Sequence, residues 1–286
     1  MSINALANSP SRTAAGSKSV TAVLQFTEHT GEKPYAYAGP PPEGVPERRG
    51  EYRDHDVRIE NARPFADRLS LEVEGIAVVR SPSGVGDLFD EAQTLALGHP
   101  ETAALVMQVT GAARVVVFDH TRRRASQDAS DDRTLDLPRP PASRVHVDQT
   151  LWSGPKRVRE IMGGQADALL AGRAAIINVW RPIGYPARDW PLVLGDARSF
   201  APEDLIATDL IFPHRRGETY GIAYNPAQRW LYVPDLTPEE AILIKCWDSD
   251  GSVAQFAPHS GFADPTTPPG TPPRQSIEFR TIAFFD

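Results

Sequence analysis

The sequence holds almost no cysteine, no long apolar run and no excess of positive charge. Its single cysteine, Cys246, excludes an internal disulfide and any metal site built from several thiolates. No apolar stretch approaches the roughly 18 residues of a membrane-spanning helix, and no signal-peptide pattern is present. The net charge of −7 argues against nucleic acid or an anionic membrane as a partner, because both select clustered Lys and Arg. We therefore expect a cytoplasmic protein that binds neither.

The length of 286 residues permits one large domain with a sizeable core. Residues 1–19 are rich in Ser, Ala, Thr and Asn without an apolar period, which predicts a flexible tail. We expect a single domain over residues 20–286. Within it, residues 30–53 carry five prolines and are expected to form an extended loop on the surface or at the mouth of a pocket.

Helical periodicity is concentrated in the first part of this domain. Helices are predicted over 86–97, with Gly98 as a stop, and then over 99–109 and 153–171. Short strand candidates follow at 174–180, 191–195, 207–212, 218–224, 229–233, 241–247 and 276–285. This order predicts an α+β fold with a double-sheet jelly-roll core over about 110–286 and flanking helices, mostly N-terminal. Such a roll has an open mouth where strand ends can present ligands.

Two His-x-acid triplets stand out as candidate metal-binding motifs, His99-Pro100-Glu101 and His146-Val147-Asp148. With seven histidines and 37 acids, about one such triplet is expected by chance, so only context gives it meaning. In an extended strand, residues i and i+2 share a face, so His146 and Asp148 can reach one metal ion. The triplet His99-Pro100-Glu101 begins a predicted helix. An acid such as Glu101 is stabilised in a first helical turn by the helix dipole, so no metal is needed to account for it. A surface ion pair remains an open alternative for His146 and Asp148.

A third metal ligand must come from later in the chain, where His214 and His259 remain. His214 adjoins two arginines, which disfavour a dication, whereas His259 follows a predicted core strand in a less charged setting. Two histidines and one carboxylate hold Fe(II) on one face and leave three positions open for a co-substrate and O2. We predict His146, Asp148 and His259 as the catalytic, metal-binding set.

Arg274 begins an Arg-x-Ser that enters the last predicted strand. Its planar guanidinium suits the carboxylate of 2-oxoglutarate, and Ser276, on the same face, can donate a further hydrogen bond. Arg280 lies on the same face and is the second choice for binding the co-substrate. The alternative is that Arg280 only forms an ion pair with an acid such as Glu278. Tyr224 is predicted to hydrogen-bond the co-substrate, although half-buried core tyrosines are commoner.

Three residues of one predicted strand are weaker candidates for contact with a substrate, namely Asn178, Trp180 and Arg181. Arg181 suits an acidic substrate, but an arginine bridging two loops explains it equally well. Trp180 is explained as well by core packing.

The chain resembles the hydroxylase/desaturase group of fungal non-haem Fe(II)/2-oxoglutarate-dependent oxygenases, which includes gibberellin-desaturase-like and aziridine-forming members. The resemblance covers about residues 110–286 and rests on blocks at His146–Thr150, Asn178–Pro182, Asp196–Ser199, Tyr224–Trp230, Leu243–Cys246, Pro258–His259 and Arg274–Glu278. It implies a double-stranded β-helix, iron held by His146, Asp148 and His259, and Arg274 on the distal carboxylate of 2-oxoglutarate. It implies C–H oxidation of a small natural-product intermediate or amino-acid derivative, by hydroxylation, desaturation or ring formation.

Three alternatives to this oxygenase remain open from the sequence. The first is an Fe(II)-dependent oxidase that does not use 2-oxoglutarate. The second is a zinc-dependent hydrolase or isomerase on the same fold, because two histidines and one aspartate also suit Zn²⁺. The third is a metal-free binding module with a jelly-roll fold.

Overall fold

The computed structural model describes residues 18–125 and 138–286, and within these ranges β-strands form most of the regular structure. The strands are β1 Ser19–Thr27, β2 Tyr35–Tyr37, β3 Arg48–Arg49, β4 Tyr52–Asn61, β5 Ile76–Arg80, β6 Arg114–Arg124, β7 His146–Val147, β8 Ala174–Pro182, β9 Leu192–Gly195, β10 Leu205–Ile211, β11 Arg216–Ile222, β12 Trp230–Tyr232, β13 Glu240–Asp248, β14 His259–Gly261 and β15 Gln275–Phe284. The α-helices are α1 Glu91–Gln93, α2 His99–Thr110, α3 Ser153–Met162 and α4 Ala166–Leu170.

The strands are divided between two sheets. The larger sheet has the order β1-β4-β12-β9-β14-β7-β11-β10-β2-β3, and the smaller has the order β5-β13-β8-β15-β6. Neighbours are antiparallel except for β10 with β2 and β12 with β4, which are parallel. Because β1–β4 join the larger sheet and β5 the smaller, both sheets extend beyond the core predicted at about 110–286.

The space between the sheets is apolar at one end and polar at the other. At the apolar end Leu194 of β9 packs with Trp180 of β8 and Ile244 of β13. Strand β8 is buried along its whole length, as expected for a central strand covered on both faces. Its other face, with Ile177 and Val179, packs against α2. The polar end holds the residues described in the next subsection.

The helices lie in the middle of the chain, so the prediction that they are mostly N-terminal is wrong. The chain begins with β1, and the helices occupy 91–110 and 153–170. Gly98 does not stop the first of these segments, since the helical turns continue through it into α2. A side chain at Gly98 would meet the Phe279 ring at 3.2 Å, so this glycine permits close packing of helix on sheet. No helix within 18–125 and 138–286 is long and apolar enough to cross a membrane.

Most of the predicted tail lies outside the described residues, which begin at Lys18. The segment predicted as an extended loop at 30–53 contains the short strands β2 and β3 and the start of β4. It contributes Tyr37, Arg48 and Tyr52 to the lining of a large cleft, which confirms its predicted place at a pocket mouth.

A buried ion pair near the end of β13 gives a stability prediction. Lys245 Nζ lies 2.6 Å from Asp248 Oδ2, and both side chains are almost fully buried. Arg173 also contacts Asp248, at 2.7 Å. Replacing Asp248 with alanine should lower the free energy of unfolding by about 3–5 kcal/mol, because it leaves a buried ammonium poorly compensated.

Urea denaturation of Asp248→Ala measures this loss. Lys156→Ala is the matched control, because Lys156 pairs with Glu160 on the accessible face of α3, where a pair contributes about 0.5 kcal/mol or less. Equal losses in the two variants would contradict a special cost of breaking the buried pair.

Candidate active site

Three potential metal ligands converge between the sheets at the polar end. His146 of β7 is paired directly opposite His259 of β14, and Asp148 follows β7 by one residue. The ligand atoms of the three side chains lie within 4.8 Å of one another. Val145 and Val147 are buried in an apolar cluster on the far side of the larger sheet, so strand alternation directs His146 and Asp148 between the sheets.

Hydrogen bonds fix which nitrogen of each histidine is available. His146 Nδ1 lies 2.8 Å from the carbonyl oxygen of Arg144, and His259 Nδ1 lies 3.1 Å from that of Ala257. A carbonyl oxygen only accepts, so both Nδ1 atoms carry hydrogen and donate. Both Nε2 atoms therefore present lone pairs, which is the arrangement that a metal-binding histidine needs. The donor set fits a divalent cation such as Fe(II).

Asp148 stays ionised despite its burial. Asn178 Nδ2 donates to Asp148 Oδ2 at 2.8 Å, and Arg280 Nε donates to the same oxygen at 3.2 Å. Burial by itself would raise the pKa of Asp148, but the nearby guanidinium of Arg280 holds that pKa well below its usual range. Burial lowers the pKa of His259, which favours the neutral imidazole. The cluster thus offers one carboxylate and two imidazole donors.

Asn178 is expected to support metal binding without touching the metal. Replacing it with alanine removes the amide that orients Asp148, and loss of such a partner typically weakens metal affinity about 10- to 100-fold. Anaerobic titration calorimetry with Fe(II) measures the change. Thr281→Val, which removes a buried hydroxyl on β15 that bonds the Ile177 carbonyl oxygen, is the control for loss of one buried hydrogen bond. Unchanged iron affinity in Asn178→Ala would contradict this role.

Arg274, predicted to bind the co-substrate, is a buried cation without an acidic contact among the described residues. Its NH1 donates to the carbonyl oxygen of Trp190 at 2.6 Å, while its Nε has no partner. The hydroxyl of Ser276, also buried, has none either. Burial lowers the pKa of Arg274 to about 9, with Arg123 adding to the effect. The pocket therefore favours an anion with several acceptor oxygens, and a carboxylate of 2-oxoglutarate fits it.

Arg280, the second choice for that role, is fully engaged. Besides Asp148, it contacts Glu278 at 2.9 Å and Asp119 at 3.3 Å. These acids raise the pKa of Arg280 against the opposing effect of burial. Its function in this geometry is to position Asp148, and it has no free donor edge for a co-substrate.

Two cavities meet at His146. A small one is lined by His146, His259, Trp180 and Arg274, so it joins the candidate metal ligands to the unpaired guanidinium. A much larger, open cleft also reaches His146 and is lined by Asp148 as well. The small cavity thus connects the candidate metal ligands with Arg274, and the cleft gives a larger molecule access to the same ligands.

Two predicted residues lie away from this site. Arg181 faces the opposite side of β8 from Asn178 and Trp180, and its NH2 donates to Ser81 at 3.3 Å. Neighbouring residues of a strand point to opposite faces, so the geometry gives no support for a contact between Arg181 and a substrate at the candidate metal ligands.

Tyr224 is not brought to the candidate metal ligands either. It follows β11, and its ring stacks on His55 at 3.9 Å and contacts Phe26 edge-on. It lines neither of the two cavities. The geometry gives no support for a hydrogen bond from Tyr224 to the co-substrate.

Sequence reasoning missed two charged residues that line the small cavity, Glu278 and Arg123. Glu278 lies two residues after Ser276 and two before Arg280 on the same strand. The alternation of side chains that places those two on one face therefore places Glu278 there as well. Arg123 is placed by the pairing of β6 with β15, opposite Ser276. No local sequence pattern reports that pairing.

Comparisons with known proteins agree on one family. Residues 24–284 match the family model described as an oxidoreductase/YMDC permease-like domain. The chain is 29% identical to the Fe(II)/2-oxoglutarate-dependent dioxygenase nvfI of Aspergillus novofumigatus, covering 89% of this chain and 92% of the relative. It is 32% identical to the hydroxylase/desaturase CTB9 of Cercospora beticola, over 83% and 79% of the two chains.

A solved structure extends this agreement to three dimensions. The iron and alpha-ketoglutarate-dependent endoperoxidase NvfI superposes with a TM-score of 0.85 at 27% identity, over 94% of this chain and 98% of that one. Similarity of this extent in both sequence and structure shows common descent. The chain belongs to the family of Fe(II)/2-oxoglutarate-dependent dioxygenases and hydroxylase/desaturases represented by these fungal relatives.

Proposed function

We propose that this protein is a non-haem Fe(II)- and 2-oxoglutarate-dependent dioxygenase that oxidises a C–H bond of a small molecule. One observation carries the proposal. A buried guanidinium that forms no ion pair among the described residues lines the same small cavity as two imidazoles whose Nδ1 atoms both donate to backbone carbonyls. A metal alone would not account for the arginine, and an anion alone would not account for the histidines.

The proposed roles follow from these contacts. His146, Asp148 and His259 hold the metal, Arg274 and Ser276 hold a carboxylate of 2-oxoglutarate, and Asn178 with Arg280 orients Asp148. When bound, Fe(II) supplies the redox chemistry that couples decarboxylation of 2-oxoglutarate, to succinate, with oxidation of the substrate by O2. The chain's own part is to fix the donors, supply the carboxylate anchor and exclude water from the small cavity. Trp180 contributes to the last of these by forming an apolar wall.

The finer description of the fold is also a proposal. We propose that the two sheets form a double-stranded β-helix of the jelly-roll type and that residues 20–286 are one domain. Support comes from the antiparallel pairing within both sheets and from ligands located between them. A cytoplasmic location without nucleic-acid or membrane partners stays a prediction from composition.

The kind of oxidation is expected to be one of those in the names of the relatives, hydroxylation or desaturation, or an oxidative ring formation. A natural-product intermediate or amino-acid derivative is the proposed substrate class. The residues that hold metal and co-substrate are common to these outcomes and do not select among them.

Release of succinate from 2-oxoglutarate tests the proposal. Purified protein reconstituted with Fe(II) and ascorbate should convert 2-oxoglutarate slowly to succinate even without substrate, and Zn(II) should not replace iron. An Fe(II) oxidase that takes every electron from its substrate would form no succinate. Binding of 2-oxoglutarate that is unaffected by removal of the metal, together with no succinate, would overturn the proposed function.

A further inference from the structure

The large cleft is markedly more basic than the rest of the protein. Seven arginines and four acids line it, although the whole chain carries a net charge of −7. All four acids already have a cationic partner: Asp119 and Asp148 contact Arg280, Glu218 contacts Lys33, and Glu47 contacts Arg48. The cleft therefore has positive charge that its own carboxylates do not neutralise.

Arg144 is the cleft arginine best placed to use that charge. No carboxylate in the described parts of the chain lies within ion-pair distance of its guanidinium, which instead stacks on the Tyr52 ring with 4.4 Å to the centroid. Stacking on an aromatic face holds the guanidinium plane while leaving its edge of N–H donors available. That edge is suited to a carboxylate through two parallel hydrogen bonds.

Strand geometry also places Arg144 on the reactive side. Val145 and Val147 are buried on the far side of the larger sheet, so Arg144 and His146 point the same way, into the cleft that both of them line. The backbone carbonyl of Arg144 receives the Nδ1 hydrogen of His146, which ties the two residues together. Residues i and i+2 of a strand are separated by about 7 Å. An anion on Arg144 would then lie only a short spacer away from a carbon next to the metal.

We propose that the substrate of this enzyme carries a carboxylate and that Arg144, supported by the Tyr52 ring, binds it in the open cleft. This inference rests on the proposed function, because it takes the cleft to be the substrate site of the metal centre. Arg144 is a specificity-determining residue in this scheme. Its guanidinium holds the substrate acid in a fixed place, two residues along the strand from His146 and the metal position that His146 helps to form.

Matched pairs of acids and amides test the proposal. Phenylacetate, indole-3-acetate, cinnamate and octanoate, each beside its primary amide, are titrated calorimetrically into protein saturated anaerobically with Fe(II) and 2-oxoglutarate. Saturation with 2-oxoglutarate keeps the probes away from Arg274. At least one acid should bind the wild type 10-fold or more tightly than its amide.

Variants assign that preference to one side chain. Arg144→Gln should abolish it, and Arg144→Lys should keep part of it, because an ammonium supplies charge without the planar fork. Arg53→Gln is the matched control, since Arg53 is exposed, adjoins Tyr52 in β4 and is not among the cleft-lining residues. The control should keep the full preference.

Two results would overturn the proposal. One is a wild type that prefers none of the acids, including the case in which no probe binds. The other is a preference that survives unchanged in Arg144→Gln. Affinity for 2-oxoglutarate is measured for each protein before any probe is added, so that misfolding is detected separately. A wild type that fails this first measurement would count against the proposed function rather than against the role of Arg144.

Discussion

Iron affinity should fall by more than roughly 100-fold when His146 is replaced with alanine. Loss of a residue that only hydrogen-bonds to a metal ligand already lowers metal affinity by about 10- to 100-fold. The variant loses one of three donors and also the hydrogen bond that ties its ring to the Arg144 carbonyl. Succinate release should disappear with the metal. Anaerobic calorimetry with Fe(II), followed by product analysis, measures both effects.

His214→Ala is the control for His146→Ala. His214 is exposed in the turn between β10 and β11 and belongs to neither cavity lining. Its variant should bind iron as the wild type does. If His146→Ala bound Fe(II) as tightly as the wild type while His259→Ala did not, the candidate ligand set would need a different third donor.

The second large effect is expected at the co-substrate anchor. Replacing Arg274 with methionine should weaken 2-oxoglutarate binding by about 2–5 kcal/mol, the usual cost of truncating one partner of a buried charge pair. Iron affinity should stay within a few-fold of the wild type. Calorimetric titration of 2-oxoglutarate into the iron-loaded protein measures the loss, and Arg188→Met, at an exposed ion pair with Asp235, is the control.

Stability without the keto acid separates this role from a structural one. The guanidinium of Arg274 is buried and forms no ion pair among the described residues, so its removal relieves an uncompensated charge. It sacrifices the hydrogen bond to the Trp190 carbonyl oxygen and the contact with the Trp180 ring, 5.6 Å from the centroid. The free energy of unfolding of Arg274→Met should therefore drop by no more than about 1 kcal/mol. A loss of several kcal/mol would mean that Arg274 is chiefly a packing residue.

The sequence was most informative where a short period determines which side chains share a face. His146 with Asp148, and Arg274 with Ser276, are both i and i+2 pairs. The structure brings the first pair together between the sheets, and in the second pair it leaves Arg274 Nε and the Ser276 hydroxyl without a partner. The third ligand, His259, was chosen because its competitor, His214, adjoins two arginines. Such inferences need only local geometry.

The sequence was least informative where position depends on distant pairing. Strand β4 lies beside β12, about 170 residues later in the chain, and no local pattern reports that neighbour. The surroundings of Tyr224 could not be predicted for the same reason, because its stacking partner His55 comes from β4. The direction of Arg181 needed no distant pairing, since the alternation that places Asn178 and Trp180 on one face of β8 already assigns Arg181 to the opposite face.

The small cavity lined by both histidines and Arg274 has a consequence for how the protein takes up its two small ligands. A dication and a dicarboxylate dianion bring equal and opposite charges to neighbouring positions, so each removes the repulsion that the other would meet alone. Their binding is thermodynamically linked, and the linkage is reciprocal. Iron must raise the affinity for the keto acid by the same factor by which the keto acid raises the affinity for iron, so depletion of either one weakens the binding of the other.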